Sequence, residues 1–175
     1  MGVINIQYYK TNIGELILGS FEGSLCLLDF RYRKMRKRVD RRIKNGLGAE
    51  FVERNDDILR KMREQIDEYL IGERKEFNIS MIAVGTDFQK HVWEALQNIE
   101  YGKTMSYLEL AKSINNEKAV RAVASANGAN ALGVIIPCHR VIGSGGGLGG
   151  YAGGVSVKKK LLELEREKST QTLLD

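Results

Sequence analysis

Two side chains able to do nucleophilic chemistry stand next to each other at Cys138 and His139, inside the stretch VIIPCHRVI. A free thiol ionises with a pKa of about 8.5, so near neutrality it needs a base or a cation beside it. His139 is the nearest base. In extended chain, however, neighbouring side chains point to opposite sides, so a proton can pass between them only through a bridging water. A histidine in that role needs a carboxylate to orient it. The first acids after the pair are Glu163 and Glu165. The plainer alternative is a buried thiol beside a surface histidine.

Just past the pair, residues 143–154 read GSGGGLGGYAGG, eight glycines in twelve with Tyr151 as the only aromatic. Such a loop is either a flexible connection or one whose backbone N–H and C=O groups hydrogen-bond a ligand. No Gly-Lys-Ser/Thr closes it, so it is not a P-loop.

The other residues narrow the chemistry by exclusion. Cys26 and Cys138 are the only cysteines and His91 and His139 the only histidines, among 175 residues. That is neither a disulfide framework nor a zinc spacing, and no metal or cofactor is expected. Papain-like hydrolases keep their cysteine and histidine far apart in sequence, so adjacency disfavours that class. No apolar run spans a bilayer and MGVINIQYYK lacks signal-peptide layout. The expectation is a cytoplasmic protein, nuclear if eukaryotic, without a membrane partner.

Charge is unevenly placed. The net charge is +5, yet residues 31–44, RYRKMRKRVDRRIK, hold nine bases and one acid, leaving 18 bases against 21 acids elsewhere. The simplest reading is a solvated loop; an auxiliary phosphate contact or a localisation signal is the sharper one. Between residues 118 and 162 there is no Asp or Glu, while Lys118, Arg121, Arg140, Lys158, Lys159 and Lys160 all fall there. Such a gap suits a surface that meets a polyanion.

The elements that must position these groups follow from periodicity. INIQYYK, GELILGSF and SLCLLDF alternate as strands, the last two joined by a Glu22-Gly23 hairpin signal. Helical spacing runs through residues 56–70, and EFNISMI is a further strand candidate. After residue 82 the texture changes. Thr86 caps a helix with Phe88, Val92, Trp93, Leu96 and Ile99 on its apolar face and His91 on its surface. Ser106 and Glu109 form a capping box for residues 106–114, and residues 118–126 make a third helix. Three short helices with tight turns fit a helix-turn-helix, and Ala119, Ala122, Ala124, Ser125 and Ala126 give its last helix a small-residue face. A helix over 157–166 and a frayed tail over 169–175 close the chain.

PCHRV, preceded by Asn130 and followed by GGYAGG, resembles the O6-alkylguanine-DNA alkyltransferases. The resemblance covers residues 86–165 through the VW helix, YGKTMSY, KAVRAVASANGAN, IIPCHRV, GYAGG and VKKKLLELE. Over residues 1–80 it is one of layout only.

The resemblance implies an α/β scaffold domain over 1–82, a small antiparallel sheet plus helix of ribonuclease H-like form. A mainly α, winged-helix-like DNA-binding domain would follow over 83–168. It implies irreversible transfer of an alkyl group from O6 of a flipped-out guanine, or O4 of thymine, to Cys138, by a monomer bound in the minor groove of double-stranded DNA. Cys138 would be the acceptor, His139 the water-bridged base, Glu165 its orienting acid and Asn130 the brace of the turn. Arg121 would fill the gap left by the extruded base, and Tyr107 would push the phosphate and contact the guanine. Tyr151 would wall the pocket, with the Val141 carbonyl and Ala152 N–H bonding the base. Asn116, Ala119, Ser125 and Ser144 fall where DNA would be touched. Some relatives have serine at 152 and prolines near Ala131 and Gly133, which this chain lacks. The rival reading is a non-enzymatic protein that binds alkylated DNA and recruits other repair factors.

Overall fold

In the computed structural model, residues 1–174 are described and form two compact units, 1–85 and 86–174. In the first, β1 (Gly2–Thr11), β2 (Gly14–Phe21), β3 (Ser24–Phe30) and β4 (Ala49–Glu53) form one sheet in the order β3-β2-β1-β4. The β2–β3 hairpin turns at Glu22 (φ 49°) and Gly23 (φ 82°), the paired positive φ that a tight two-residue turn requires. β1/β2 and β2/β3 are antiparallel, but β4 runs parallel to β1, from Gly2 opposite Ala49 to Ile6 opposite Glu53. The sheet is therefore mixed. The short stretch AEFVE does not alternate strictly and carries little strand signal; its pairing with β1 makes it a strand.

Helices α1 (Arg36–Leu47) and α2 (Asp57–Leu70) complete this unit. Asp56 caps α2 by accepting from the Leu59 N–H at 2.9 Å. Leu59, Met62, Ile66 and Tyr69 are buried, and α2 packs on β1, β2 and β3. The basic segment is not a loop: Val39 and Ile43, four apart, bury one side of α1, and Gly48 ends it in the left-handed conformation at φ 60°. EFNISMI is not a strand either. It makes one bridge, Met81 to Leu25, and the Gln65 side chain holds the Asn78 backbone at 2.8 and 3.0 Å in place of a strand partner. Cys26 is buried in β3 as a core residue.

The second unit holds α3 (Asp87–Leu96), β5 (Met105–Ser106), α4 (Tyr107–Ser113), a 3-10 turn (Glu117–Ala119), α5 (Val120–Gly128), a second 3-10 turn (Cys138–Arg140), β6 (Val141–Ile142) and α6 (Val155–Leu174). Thr86/Gln89 and Ser106/Glu109 both close reciprocal capping boxes. The α4–α5 connection passes through Asn115 at φ 56°, a conformation asparagine tolerates better than most residues. α5 therefore starts at Val120, and Ala119 sits on the 3-10 turn. α3 packs on α4 and α5, and the Trp93 indole donates to the Ala126 carbonyl at 2.8 Å. α6 does not stop at Arg166: it continues through Leu174 in place of the expected frayed tail, and Asp175 lies outside the described residues. No described helix is long and apolar enough to cross a membrane.

Candidate active site

β5 and β6 are two residues each and pair in parallel, Met105 opposite Val141 and Ser106 opposite Ile142. This short ladder decides the geometry. β5 leads straight into Tyr107, the first residue of α4, and β6 follows straight from Cys138–Arg140, so the tyrosine and the cysteine turn are held side by side.

The turn itself is locked from within. Asn130 donates to the Ile136 carbonyl at 2.8 Å and accepts from the Leu132 N–H at 3.0 Å, while Asn127 donates to the Cys138 carbonyl at 3.4 Å. Within the braced segment Val134 sits at φ 69°, a costly conformation for a β-branched residue. Cys138 is 7% exposed and His139 fully buried, so the histidine is not a surface group.

His139 Nε2 lies 2.7 Å from Glu165 Oε2 on α6. Glu165 also accepts from Arg140 Nε at 2.7 Å, Arg140 Nη2 at 3.0 Å and the Gly102 N–H at 3.4 Å. Four donors thus fill a carboxylate's acceptor capacity. Burial alone would push the Glu165 carboxyl up; the His139 and Arg140 contacts outweigh it and hold the carboxyl well below the usual range. Burial pushes the His139 imidazole below its ordinary value, with Glu165 opposing. The resting pair is then neutral histidine on ionised glutamate. A carboxylate only accepts, so Nε2 carries the hydrogen and Nδ1 the lone pair. That Nδ1 is buried and has no hydrogen-bond partner among the described residues.

Arg140 and Lys158 overturn part of the charge reading. Both are buried, so neither offers charge to a polyanion, although Lys118, Arg121, Lys159 and Lys160 of that acid-free window stay exposed. Arg140 also donates to the Ile99 carbonyl at 2.6 Å, and Lys158 is fully buried. The Lys158 ammonium has three donors and meets three carbonyls: Val141 at 2.6 Å, Leu148, and Gly150 at 3.4 Å. Burial lowers its pKa, and the nearby Cys138 charge opposes that. Spacing carries a weak signal for Arg140, two residues past the cysteine. It carries none for Lys158, which reads as one of three consecutive surface lysines.

Lys158 gives the glycine loop its shape. The Gly143 N–H also donates to the Gly147 carbonyl at 2.7 Å, closing a small turn. Gly149 has φ +73°, and a Cβ there would lie 2.9 Å from the Tyr107 hydroxyl. The Tyr151 ring meets His139 edge-on at 6.5 Å between centroids. Burial raises the Tyr107 pKa, with the Cys138 charge adding to it. Tyr107 and Tyr151 therefore lie beside Cys138 and His139, Val141 follows their turn directly, and Ala152, next in the chain to Tyr151, is half-buried. Arg121, Ala122 and Ser125 are exposed along α5, Lys118 is exposed on the 3-10 turn just before it, and Asn116 and Ser144 are exposed.

Residues 4–82 match the family described as 6-O-methylguanine DNA methyltransferase, ribonuclease-like domain, and residues 87–167 match the DNA binding domain of the same family. A methylated-DNA–protein-cysteine methyltransferase of Methanosarcina acetivorans is 41% identical over 90% of this chain and 95% of its own length. One from Mycobacterium leprae is 40% identical over 99% of this chain and all of its own length. Among solved structures, Mycobacterium tuberculosis OGT in complex with DNA superimposes with a TM-score of 0.80 at 36% identity, covering 98% of this chain and 99% of that one. The O6-methylguanine-DNA methyltransferase of Pyrococcus kodakaraensis gives 0.68 at 27% identity, over 93% and 98%. With both units matched and relatives aligned over nearly their whole length, the chain belongs to the 6-O-methylguanine DNA methyltransferase family.

Proposed function

We propose that this chain repairs alkylated DNA by moving the alkyl group from O6 of guanine onto its own Cys138, once per molecule. The observation that carries the reading is the His139–Glu165 contact at 2.7 Å, which leaves the unpartnered Nδ1 of His139 as a base beside a buried thiol. Nδ1 takes the thiol proton through one water, and Glu165 steadies the imidazolium that forms. The thiolate attacks the alkyl carbon. The S–C bond forms as the C–O6 bond breaks, the electron pair stays on guanine, and the proton taken from the thiol passes from the His139 imidazolium through the water to the guanine. A thioether is not reversed by this relay, so the protein is spent.

The substrate atom is inaccessible in a stacked duplex, so the nucleotide is turned out of the helix. The α4–α5 pair supports binding in the minor groove, because the exposed face at Lys118, Arg121, Ala122 and Ser125 combines small residues with cations. Arg121 fills the gap left by the base. Asn116, Ala119, Ser125 and Ser144 face the DNA backbone. Tyr107 and Tyr151 hold the base, the Ala152 N–H reads it, and the Val141 carbonyl retains a second lone pair beyond the one Lys158 uses. The protein acts as a monomer.

The test is intact-mass analysis after incubation with duplex DNA containing O6-methylguanine. One methyl group per protein, mapped to Cys138 and absent from Cys138→Ala, is the expected result. Tight lesion binding with no mass gain in folded protein would leave a non-enzymatic lesion binder as the reading.

A further inference from the structure

The first unit carries a charge arrangement that folding alone does not favour. Asp29 is buried, and both Arg33 and Arg36 reach it at 3.0 Å. Arg36 also pairs with Asp40 at 2.9 Å. Asp29 and Asp40, the one acid within α1, are thus paired with Arg33 and Arg36. Lys34, Lys37, Arg38 and Arg41 are all exposed, with no ion pair among the described residues.

Their spacing of three, four and seven residues places Lys37, Arg38 and Arg41 on one face of α1, with Lys34 in the turn just before it. Val39 and Ile43 bury the other face. Two features make this row costly. Lys37/Arg41 are like charges four apart within α1, a spacing that destabilises a helix. The first turn of α1 contains no acid, so Arg36, Lys37 and Arg38 crowd the positive end of the helix dipole. A solvated face ordinarily mixes its signs; this one does not.

From this we propose that Lys34, Lys37, Arg38 and Arg41 form a second DNA contact, gripping backbone phosphates without reading sequence and separate from the α4–α5 face. The row is a polyanion's complement in sign, exposure and single-file spacing, and the partner polyanion is the DNA of the proposed repair function, on which this inference rests. Phosphate binding of this kind releases counterions, so it shows in the salt dependence of affinity.

The experiment uses the full chain with Lys37→Gln, Arg38→Gln and Arg41→Gln combined, beside a charge-keeping variant, Lys37→Arg with Arg38→Lys and Arg41→Lys. Binding to undamaged duplex DNA is followed by fluorescence anisotropy across a KCl series. The neutral variant should bind more weakly at low salt, and its slope of log K against log salt should fall by about 0.9 for each phosphate it no longer neutralises. The charge-keeping variant should retain the wild-type slope. Thermal melting without DNA should move the opposite way, with the neutral variant melting higher because the repulsion is gone. An unchanged slope in a folded neutral variant overturns the proposal, as does an equal weakening in the charge-keeping variant. Methyl uptake from duplex DNA containing O6-methylguanine, measured on the same proteins at saturating DNA and low salt, keeps the two readings apart. Its absence in wild type would sink the repair function, while a normal uptake with an unchanged slope would sink only the α1 proposal.

Discussion

Lys158 Nζ lies 2.6 Å from the Val141 carbonyl, inside a fully buried position where its other two donors meet the Leu148 and Gly150 carbonyls. One cation thereby ties α6, β6 and the glycine loop together. Lys158→Met keeps the length and removes all three bonds. Alkyl transfer should fall at least about tenfold, and stability by about 1–3 kcal/mol for the carbonyls left without a partner. Hydrogen exchange over residues 143–154 should speed up more than elsewhere. Normal single-turnover transfer in this variant would show that the loop holds its shape without the tie.

Glu165 is the shared acceptor of His139 and Arg140, so its charge matters twice. Glu165→Gln leaves the Arg140 guanidinium buried without a counter-charge, an expected loss of about 3–5 kcal/mol. Urea titration of this variant, of Arg140→Met and of the double variant forms a cycle. The double variant should be more stable than the sum of the two losses implies, because neither charge is then stranded. Strict additivity would show that the two side chains do not act as a pair.

Acid should unfold the protein in two steps of different origin. Burial keeps His139 neutral in the folded chain, whereas in the unfolded chain it binds a proton as pH falls through its ordinary value of 6.5. Stability from this group is complete above that value and is lost as pH drops below it, by at most about 1.4 kcal/mol per pH unit. Glu165 is depressed, so its contribution is complete above its ordinary value of 4.5 and disappears at lower pH as the folded carboxyl protonates. Chemical denaturation from pH 8 to 4 should show the upper limb in wild type. His139→Gln, less stable throughout, should show a flatter curve between pH 6.5 and 5.

At Gly149 both backbone and space oppose a side chain, with φ +73° and the Tyr107 hydroxyl 2.9 Å from any added Cβ. Gly149→Ala should lose about 1–2 kcal/mol from the left-handed backbone alone. Its alkyl transfer should drop further, since Tyr107 is displaced. Adding Tyr107→Phe should recover part of the melting temperature and none of the transfer rate. Wild-type transfer by Gly149→Ala would mean that the loop and tyrosine adjust freely.

Periodic and capping signals are legible in the sequence because they are local. Thr86/Gln89, Ser106/Glu109 and the Glu22-Gly23 turn each depend on residues no more than three apart. β4 is not legible, because AEFVE becomes a strand only through its parallel pairing with β1. The basic run reads as a loop because its charge hides Val39 and Ile43, two buried apolar residues among ten charged ones. In the site, Cys138 and His139 stand out by type, and Glu165 stands out through family likeness. Arg140 and Lys158 stay hidden because burial of a cation depends on acceptors far away in sequence. Ile99 is 41 residues from Arg140, and Val141 is 17 from Lys158.

The contacts of Glu165 also set an order of assembly. Its partners lie 25, 26 and 63 residues earlier in the chain, at Arg140, His139 and Gly102. As the chain leaves the ribosome, Cys138 and His139 emerge well before the acid that orients the imidazole. A chain that has emerged only as far as His139 therefore carries the thiol and the imidazole without the Glu165 contact. In the proposed mechanism, activation of the Cys138 thiol by His139 therefore waits for α6 to dock.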